Sequence, residues 1–423
     1  MPHSPGITLW RSNPGRAWFL GVNLVPAGIG RGRRRAAVSV GTYLAAATPP
    51  RLAVGGITVA IPVLAVEQTG DVALGGLLAA ATLAPSIVAA PFVGVLLDRS
   101  RRPGALIAAA GLAMGVSFAI AAFLGPIPAW AVAVVLLAGG AAGPFVMGGL
   151  SSYVTERIPD ERRAYAIDAL AYNLGSVVGP AVVAASAALG SARLATLLMA
   201  ASALIGAVGT IPLRLRPAGS PARGSMLHTM ARGIRHIALH RPLAVVTASG
   251  TVSQFGAGGL AIAAVALSVQ RKGDADQGAL IVTAFAIGGL LGALWNSGRP
   301  SRLRPEATMG LGFAATGVLT VVAAVDLGLW WTAAAVGASG LFTAASAAAM
   351  LLIRKQQSPP ALRSQVFTVG AGLRAAAAAG GAAVAGLAAG LGAGTLLVLI
   401  GATWIASGAM LLAYPRGAAP IDR

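Results

Sequence analysis

Gly94-Val-Leu-Leu-Asp98-Arg99-Ser-Arg101-Arg102-Pro103 packs one acid and three arginines between two long apolar runs. A near-copy, Gly292-Ala-Leu-Trp-Asn296-Ser-Gly-Arg299-Pro300, lies 198 residues later. Each copy follows the second long apolar run of its half of the chain. One charged loop repeated at a long offset implies a duplicated membrane protein.

Composition supports that solvent. Of the 423 residues 56% are hydrophobic, only 10% are charged, and the mean hydropathy is +0.78. A soluble chain of this size carries about a quarter charged residues to cover its surface. Apolar runs of about 20 residues recur along the whole length, and each can cross a bilayer core of about 30 Å. In lipid each run must satisfy its own backbone hydrogen bonds, so helices are expected. The 57 glycines and the alanine blocks suit close helix–helix approach. Cysteine is absent, which excludes disulfides and cysteine-ligated metals.

Spans are expected at about 39–66, 73–97, 104–124, 128–153, 164–189, 193–213, 242–269, 278–297, 307–326, 329–353, 364–389 and 394–414. Of the 31 Lys and Arg residues, 26 then fall on the side of the N-terminus and three (Arg193, Arg271, Lys272) on the other. That bias places both ends in the cytoplasm. It also explains the net charge of +19 as loop charge and not as a nucleic-acid-binding face. The resulting organisation is a basic cytoplasmic tail (1–37), a six-helix bundle (38–213), a cytoplasmic central loop (214–241), a second six-helix bundle (242–414) and a cytoplasmic tail (415–423). Trp18–Ile29 is too short to span, and no signal-peptide pattern precedes the first span. In the central loop, Met226–His240 reads as an amphipathic helix with Leu227, Met230, Ile234 and Ile237 on one side, lying at the membrane surface. The halves overlay: an offset of 198 sets Asp98 on Asn296, and an offset of 201 sets Arg162 on Arg363, Gly179 on Gly380 and Asn173 on Arg374.

These features resemble the major facilitator superfamily. Its signature loop between spans two and three is matched by Gly94, Asp98, Arg99 and Arg102, while Arg101 and Pro103 depart from it. The resemblance implies an all-α membrane protein of twelve helices in two pseudo-symmetric six-helix bundles, with this loop acting as a conformational latch. Gly175-Ser-Val-Val-Gly179-Pro180 in span five resembles the core of a motif of the family's drug–proton antiporters. Val183-Ala184 and Ala166 depart from that motif. The other reading of Gly175, Gly179 and Pro180 is a small-residue packing face with a proline kink.

Charges inside a bilayer cost several kcal/mol unless paired or hydrated, so each is a functional candidate. Arg51 lies near the middle of span one, after Pro49-Pro50. Arg374 lies eleven residues beyond Arg363, again near mid-depth. Asp168 lies five residues beyond Arg163 and is the one carboxylate within a span able to carry a proton. One reading places Arg51, Asp168 and Arg374 on a central cavity that binds or gates substrate. The other makes Arg51 and Asp168 a structural pair, or sets Asp168 in the cytoplasmic charge latch with Arg162 or Arg163. Tyr172 and Asn173 in span five and Ser253 and Gln254 in span seven are further cavity candidates, with Thr251 beside them. Trp130, Trp330 and Trp331 read as an interfacial aromatic belt.

No nucleotide-binding Gly-x-x-x-x-Gly-Lys loop is present, no catalytic residues or cofactor are indicated, and the four scattered His suggest no metal site. The expectation is a non-enzymatic secondary transporter of a bacterial plasma membrane, a monomer without nucleic-acid partners. It is expected to export small hydrophobic or amphipathic compounds in exchange for protons. The competing readings are an importer or facilitator for a polar nutrient and a non-transporting scaffold or sensor. Few Asn, Gln or aromatic residues fall where a sugar cavity needs them, and no effector domain is present. Asn296 stands where the first loop has Asp98, so the latch is asymmetric. Asp98→Asn is therefore expected to slow transport without changing which compounds bind; a changed substrate range in paired transport and binding assays would count against the latch.

Overall fold

The computed structural model describes residues 31–158, 161–215, 226–273, 275–298, 303–325, 327–359, 362–415 and 417. The tail before Arg31, the loop segment 216–225, Arg299, Pro300, Asp326 and residues 418–423 lie outside the described residues, as do the side chains of Asp98, Arg162, Arg363, Leu227 and Met230.

Among the described residues twelve helices are long and apolar enough to cross a membrane. In order they are Val40–Thr69, Val72–Ala90, Pro103–Ala121, Ala129–Gly149, Ile167–Ala188, Ala192–Leu213, Arg241–Arg271, Asp276–Asn296, Pro305–Ala323, Leu329–Gln356, Gln365–Leu387 and Ala393–Ala413, referred to below as spans one to twelve. Large apolar side chains point outward along them: Val88 is 65% exposed, Ile205 59% and Leu311 61%. Such an apolar exterior fits a lipid solvent.

The sequence predicts span two as one run over 73–97. The structure bends it, with one helix over Val72–Leu83 and a second over Pro85–Arg99. Pro85 has no N–H to give to the preceding turn, which explains the break. Span four ends in a π-helical turn, Phe145–Gly149, directly after Pro144. Loss of one N–H there shifts the bonding register in the same way. The helix of span one begins at Arg31, within the stretch read as tail.

The repeat is visible as capping chemistry. Near the end of span one, Glu67 Oε2 accepts the N–H of Ala192 at the start of span six, at 2.6 Å. Near the end of span seven, Gln270 Oε1 accepts the N–H of Ala393 at the start of span twelve, at 3.2 Å. Both bonds satisfy a free N–H at a helix start. Spans seven and twelve are also tied by reciprocal bonds: Ser249 Oγ donates to the Ser407 carbonyl at 2.8 Å and Ser407 Oγ to the Ser249 carbonyl at 2.7 Å. In lipid such polar contacts hold helices together where the hydrophobic effect does not.

Between the halves the helix Met226–Leu239 forms as the periodicity predicts. Its Ile237 is buried against Leu243 and Val366, and Ile234 is 51% exposed. The helix thus docks on spans seven and eleven and does not lie on the membrane alone. Gly233 permits the approach: a Cβ there would sit 2.7 Å from the Gln365 side chain.

The two halves meet tightly at the end opposite the loop of Arg99, Arg101 and Arg102. A Cβ on Gly76 of span two would lie 2.6 Å from the Ala382 carbonyl and the Gly386 Cα of span eleven. Val265, Ala275 and Ala279 of the second half join the apolar core of the first. Gly76→Leu is expected to part the halves at this end. With no cysteine in the chain, an Ala275→Cys reporter gives the readout: maleimide labelling rises severalfold in the Gly76→Leu background, and unchanged labelling would contradict the contact.

Candidate functional site

Spans one and five cross on glycine. A Cβ on Gly175 would stand 2.6 Å from the carbonyl carbon of Arg51, one on Gly55 2.6 Å from the Gly175 carbonyl oxygen, and one on Gly179 2.5 Å from the Gly56 nitrogen. Only side chains without a Cβ permit this approach. Gly175 and Gly179 of the antiporter-like motif thus pack span five against span one, and Pro180 lines a cavity described below.

That crossing sets Arg51 against Asp168. Arg51 is 2% exposed and Asp168 8%. Arg51 Nη2 lies 2.5 Å from Asp168 Oδ1 and donates to Ser151 Oγ at 2.8 Å, and Nη1 donates to the Asp168 carbonyl at 3.0 Å. The Tyr43 hydroxyl donates to the same carboxylate oxygen of Asp168. Arg51 Cζ sits 3.8 Å above the ring of Tyr172, one turn after Asp168. A buried guanidinium thus meets a carboxylate, a carbonyl, a hydroxyl and an aromatic face, and its Nε alone is left without a partner. The structure thus brings Arg51 and Asp168 together as a pair. Of the other partners considered for Asp168, Arg163 is exposed and the side chain of Arg162 lies outside the described residues.

Two cavities flank spans five and eleven. One, of about 510 Å³, is lined mainly by apolar side chains of the first half, including Ile57, Val93, Leu97 and Phe118. Tyr172 lies on its wall, as do Ala371 and Ala375 of span eleven. Gly94 of the signature loop opens onto it too. The other, of about 420 Å³, lies between the halves and brings together four of the residues singled out in the sequence: Asn173, Ser253, Gln254 and Arg374. Phe285, Met350 and Trp404 form its apolar walls. Thr251 is bonded to the carbonyl one turn back, which fits a packing role. Asn173 and Arg374, equivalent positions of the two halves, face one cavity. Arg51 lines neither cavity. Arg99 and Arg102 are exposed at the bundle end.

Three partners escaped the sequence reading. Tyr43 looks like any buried aromatic until span five is placed beside it, and Ser151 lies on span four, far from both in sequence. Arg354, counted there as loop charge, is 2% exposed and lies within span ten. Its signal is the buried stripe Ser346, Met350, Ile353, Arg354, which continues a helical period that Lys355 leaves. Among the described residues no group of three or more His, Cys, Asp or Glu is placed to hold a metal.

The sequence profile of the Major Facilitator Superfamily matches residues 44–256. An uncharacterized MFS-type transporter, y4rN of Sinorhizobium fredii, is 25% identical over 391 residues, which is 90% of this chain and 96% of that one. Among solved structures, the nucleoside transporter NupG superposes with a TM-score of 0.73 at 14% identity, covering 90% of this chain and 99% of the other. A peptide transporter crystallised with sulfate gives 0.69 at 16% identity, with 88% and 93% coverage. A bacterial homolog of the human lysosomal transporter Spinster, inward-facing and unoccupied, gives 0.65 at 14%, with 91% and 99% coverage. These likenesses establish the fold.

Gly175→Ala is expected to force spans one and five apart and to cost about 1–3 kcal/mol, as overpacking does. Gly41→Ala, where a Cβ meets nothing within 4 Å, is the control. Thermal unfolding of both variants in the same detergent checks this; equal midpoints would refute the glycine crossing.

Proposed function

The chain belongs to the major facilitator superfamily, and from that premise we propose that it exports small hydrophobic or amphipathic compounds in exchange for protons. It is a multi-pass membrane protein and a secondary transporter, not an enzyme. Export, proton coupling and a place in the plasma membrane are the proposal.

The observation that carries it is the cavity of about 510 Å³ walled by Ile57, Val93, Leu97 and Phe118. An apolar wall of this size suits a drug-sized apolar body and offers a sugar little to bond. Both cavities run from the middle of the bundle toward the end that carries Arg99 and Arg102: Gly94 and Ser152 line one, Ala293 and Met350 the other. With the opposite end closed at Gly76 and Gly386, a compound enters from the arginine-rich side, the side that charge counting assigns to the cytoplasm. Rocking of the halves about spans five and eleven then exposes it to the other side.

Asp168 is the buried carboxylate available for coupling among the described residues. While ionised it holds Arg51 and accepts from Tyr43. A proton on Asp168 removes the charge that balances Arg51 and loosens the link between spans one and five. Deprotonation restores that link, and on this reading the making and breaking of the link accompanies the change of access state. The reading supports the following outcome. In inside-out vesicles, Asp168→Asn abolishes proton-gradient-driven uptake of exported dyes while exchange of labelled for unlabelled dye continues. Gradient-driven uptake at the wild-type rate in Asp168→Asn would remove the coupling role. Absence of gradient-driven uptake by wild type across a screen of dyes and antibiotics would remove the exporter reading.

A further inference from the structure

The two halves use their buried cations differently. In the first half Arg51 is held by Asp168. In the second half Arg354 is buried and Arg374 half-buried, and among the described residues no such acid faces them. Asp168 is the one buried carboxylate among the described residues, and it belongs to the other half. Glu306 and Asp276, the described acids of the second half, stand in the first turns of their helices.

Arg354 is 2% exposed, yet its Nε and Nη2 have no hydrogen-bond partner. Its guanidinium is wedged between spans seven and eleven. A Cβ on Gly370 would stand 2.7 Å from Arg354 Cζ, and one on Gly250 3.7 Å from Arg354 Nη2. Gly370 lies one helical turn before Arg374 on the same face of span eleven. Arg374 reaches the cavity of about 420 Å³, and its Nε is likewise buried without a partner. The Arg354 guanidinium therefore packs one helical turn along span eleven from the backbone of Arg374, and the two charges lie within electrostatic reach of each other. Two like charges held together in a low-dielectric site leave a positive potential that no buried acid among the described residues neutralises. Unsatisfied buried donors are costly, and this site gathers several of them beside an open cavity.

The rest of the cavity describes what completes the site. Asn173, Ser253 and Gln254 offer polar groups near Arg374, and Phe285, Met350 and Trp404 offer apolar and aromatic walls. We infer that this cavity binds an organic anion, with its carboxylate on Arg374, backed by the Arg354 charge, and its apolar or aromatic body between Phe285, Met350 and Trp404. This rests on the exporter reading and narrows it from amphipathic compounds in general to amphipathic acids. Arg374 makes the contact. Arg354 is a positioning residue that strengthens the field and holds span eleven at Gly370.

The test is equilibrium binding to the full-length protein in nanodiscs of neutral phosphatidylcholine, using three probes on one scaffold: 2-naphthoate, 2-naphthamide and 2-naphthylmethylammonium. Benzoate and decanoate extend the acid series. The expected result is that an acid of the series binds the wild-type protein at least tenfold tighter than its neutral and cationic analogues. Arg374→Gln should remove that preference and Arg374→Lys keep part of it. Arg354→Gln should reduce it while leaving the neutral probe unchanged. Equal affinity for the three charge types, or no binding of any acid, overturns the proposal, and the wild-type protein alone decides this. Loss of acid binding when phosphatidylglycerol is added to the disc assigns the arginines to a lipid headgroup and overturns the substrate assignment. Dye export in vesicles reads out separately. Export without acid preference refutes the anion site alone, and acid binding without any export refutes the exporter reading alone.

Discussion

The close crossing of spans one and five is the constraint on which the first half depends. Gly55, Gly56, Gly175 and Gly179 bring the two backbones within the distance a single methyl would block. At that distance Arg51 reaches the side chain and the carbonyl of Asp168, together with Ser151 and the Tyr172 ring. A lone arginine inside a bilayer costs at least several kcal/mol. The pair, its hydrogen bonds and the aromatic face offset that cost only because the glycines bring the groups together. Glycine spacing and buried charge are thus one construction, although in the sequence they look like two unrelated features.

The second half repeats the backbone and changes the chemistry. Glu67 and Gln270 cap equivalent helices with equivalent bonds. A carboxylate and an amide serve alike there because only an accepting oxygen is needed. Inside the membrane the equivalence stops. Asn173 and Arg374 occupy matching positions and face the same cavity, so one half contributes a neutral amide and the other a cation. The first half encloses its charge and the second half leaves its charge beside open space. Such asymmetry on a symmetric frame sets an enclosed ion pair in one half and a cation facing a cavity in the other.

Much of this was legible in the sequence, for physical reasons. A run that must satisfy its backbone in lipid needs about 20 apolar residues, so the twelve spans stand out whatever their packing. The candidates Asn173, Ser253, Gln254 and Arg374 were found because polar groups at mid-depth are rare and costly, and the structure brings these four to one cavity. Arg51 and Asp168 were readable as a pair by the same argument. What stayed hidden depends on contacts between distant spans. Tyr43 gains meaning only from Asp168 across 125 residues. Arg354 sits at the end of an apolar run, where a charge ordinarily reaches water, and only the buried face of span ten shows that it does not. The bend at Pro85 was masked by the unbroken apolar composition around it.

The central claim is a division of labour: Arg51 is held by Asp168 inside the first half and does not contact the ligand, while Arg374, with Arg354 behind it, is free to meet an anion. The most direct measurement is a crystal structure of the protein with a brominated naphthoate, located by the anomalous signal of bromine. The account predicts a single strong peak in the cavity of Phe285, Met350 and Trp404, with the carboxylate on Arg374 and the Arg51–Asp168 pair intact. A peak beside Arg51 with Asp168 displaced, or an empty cavity at Arg374 under saturating ligand, would contradict it.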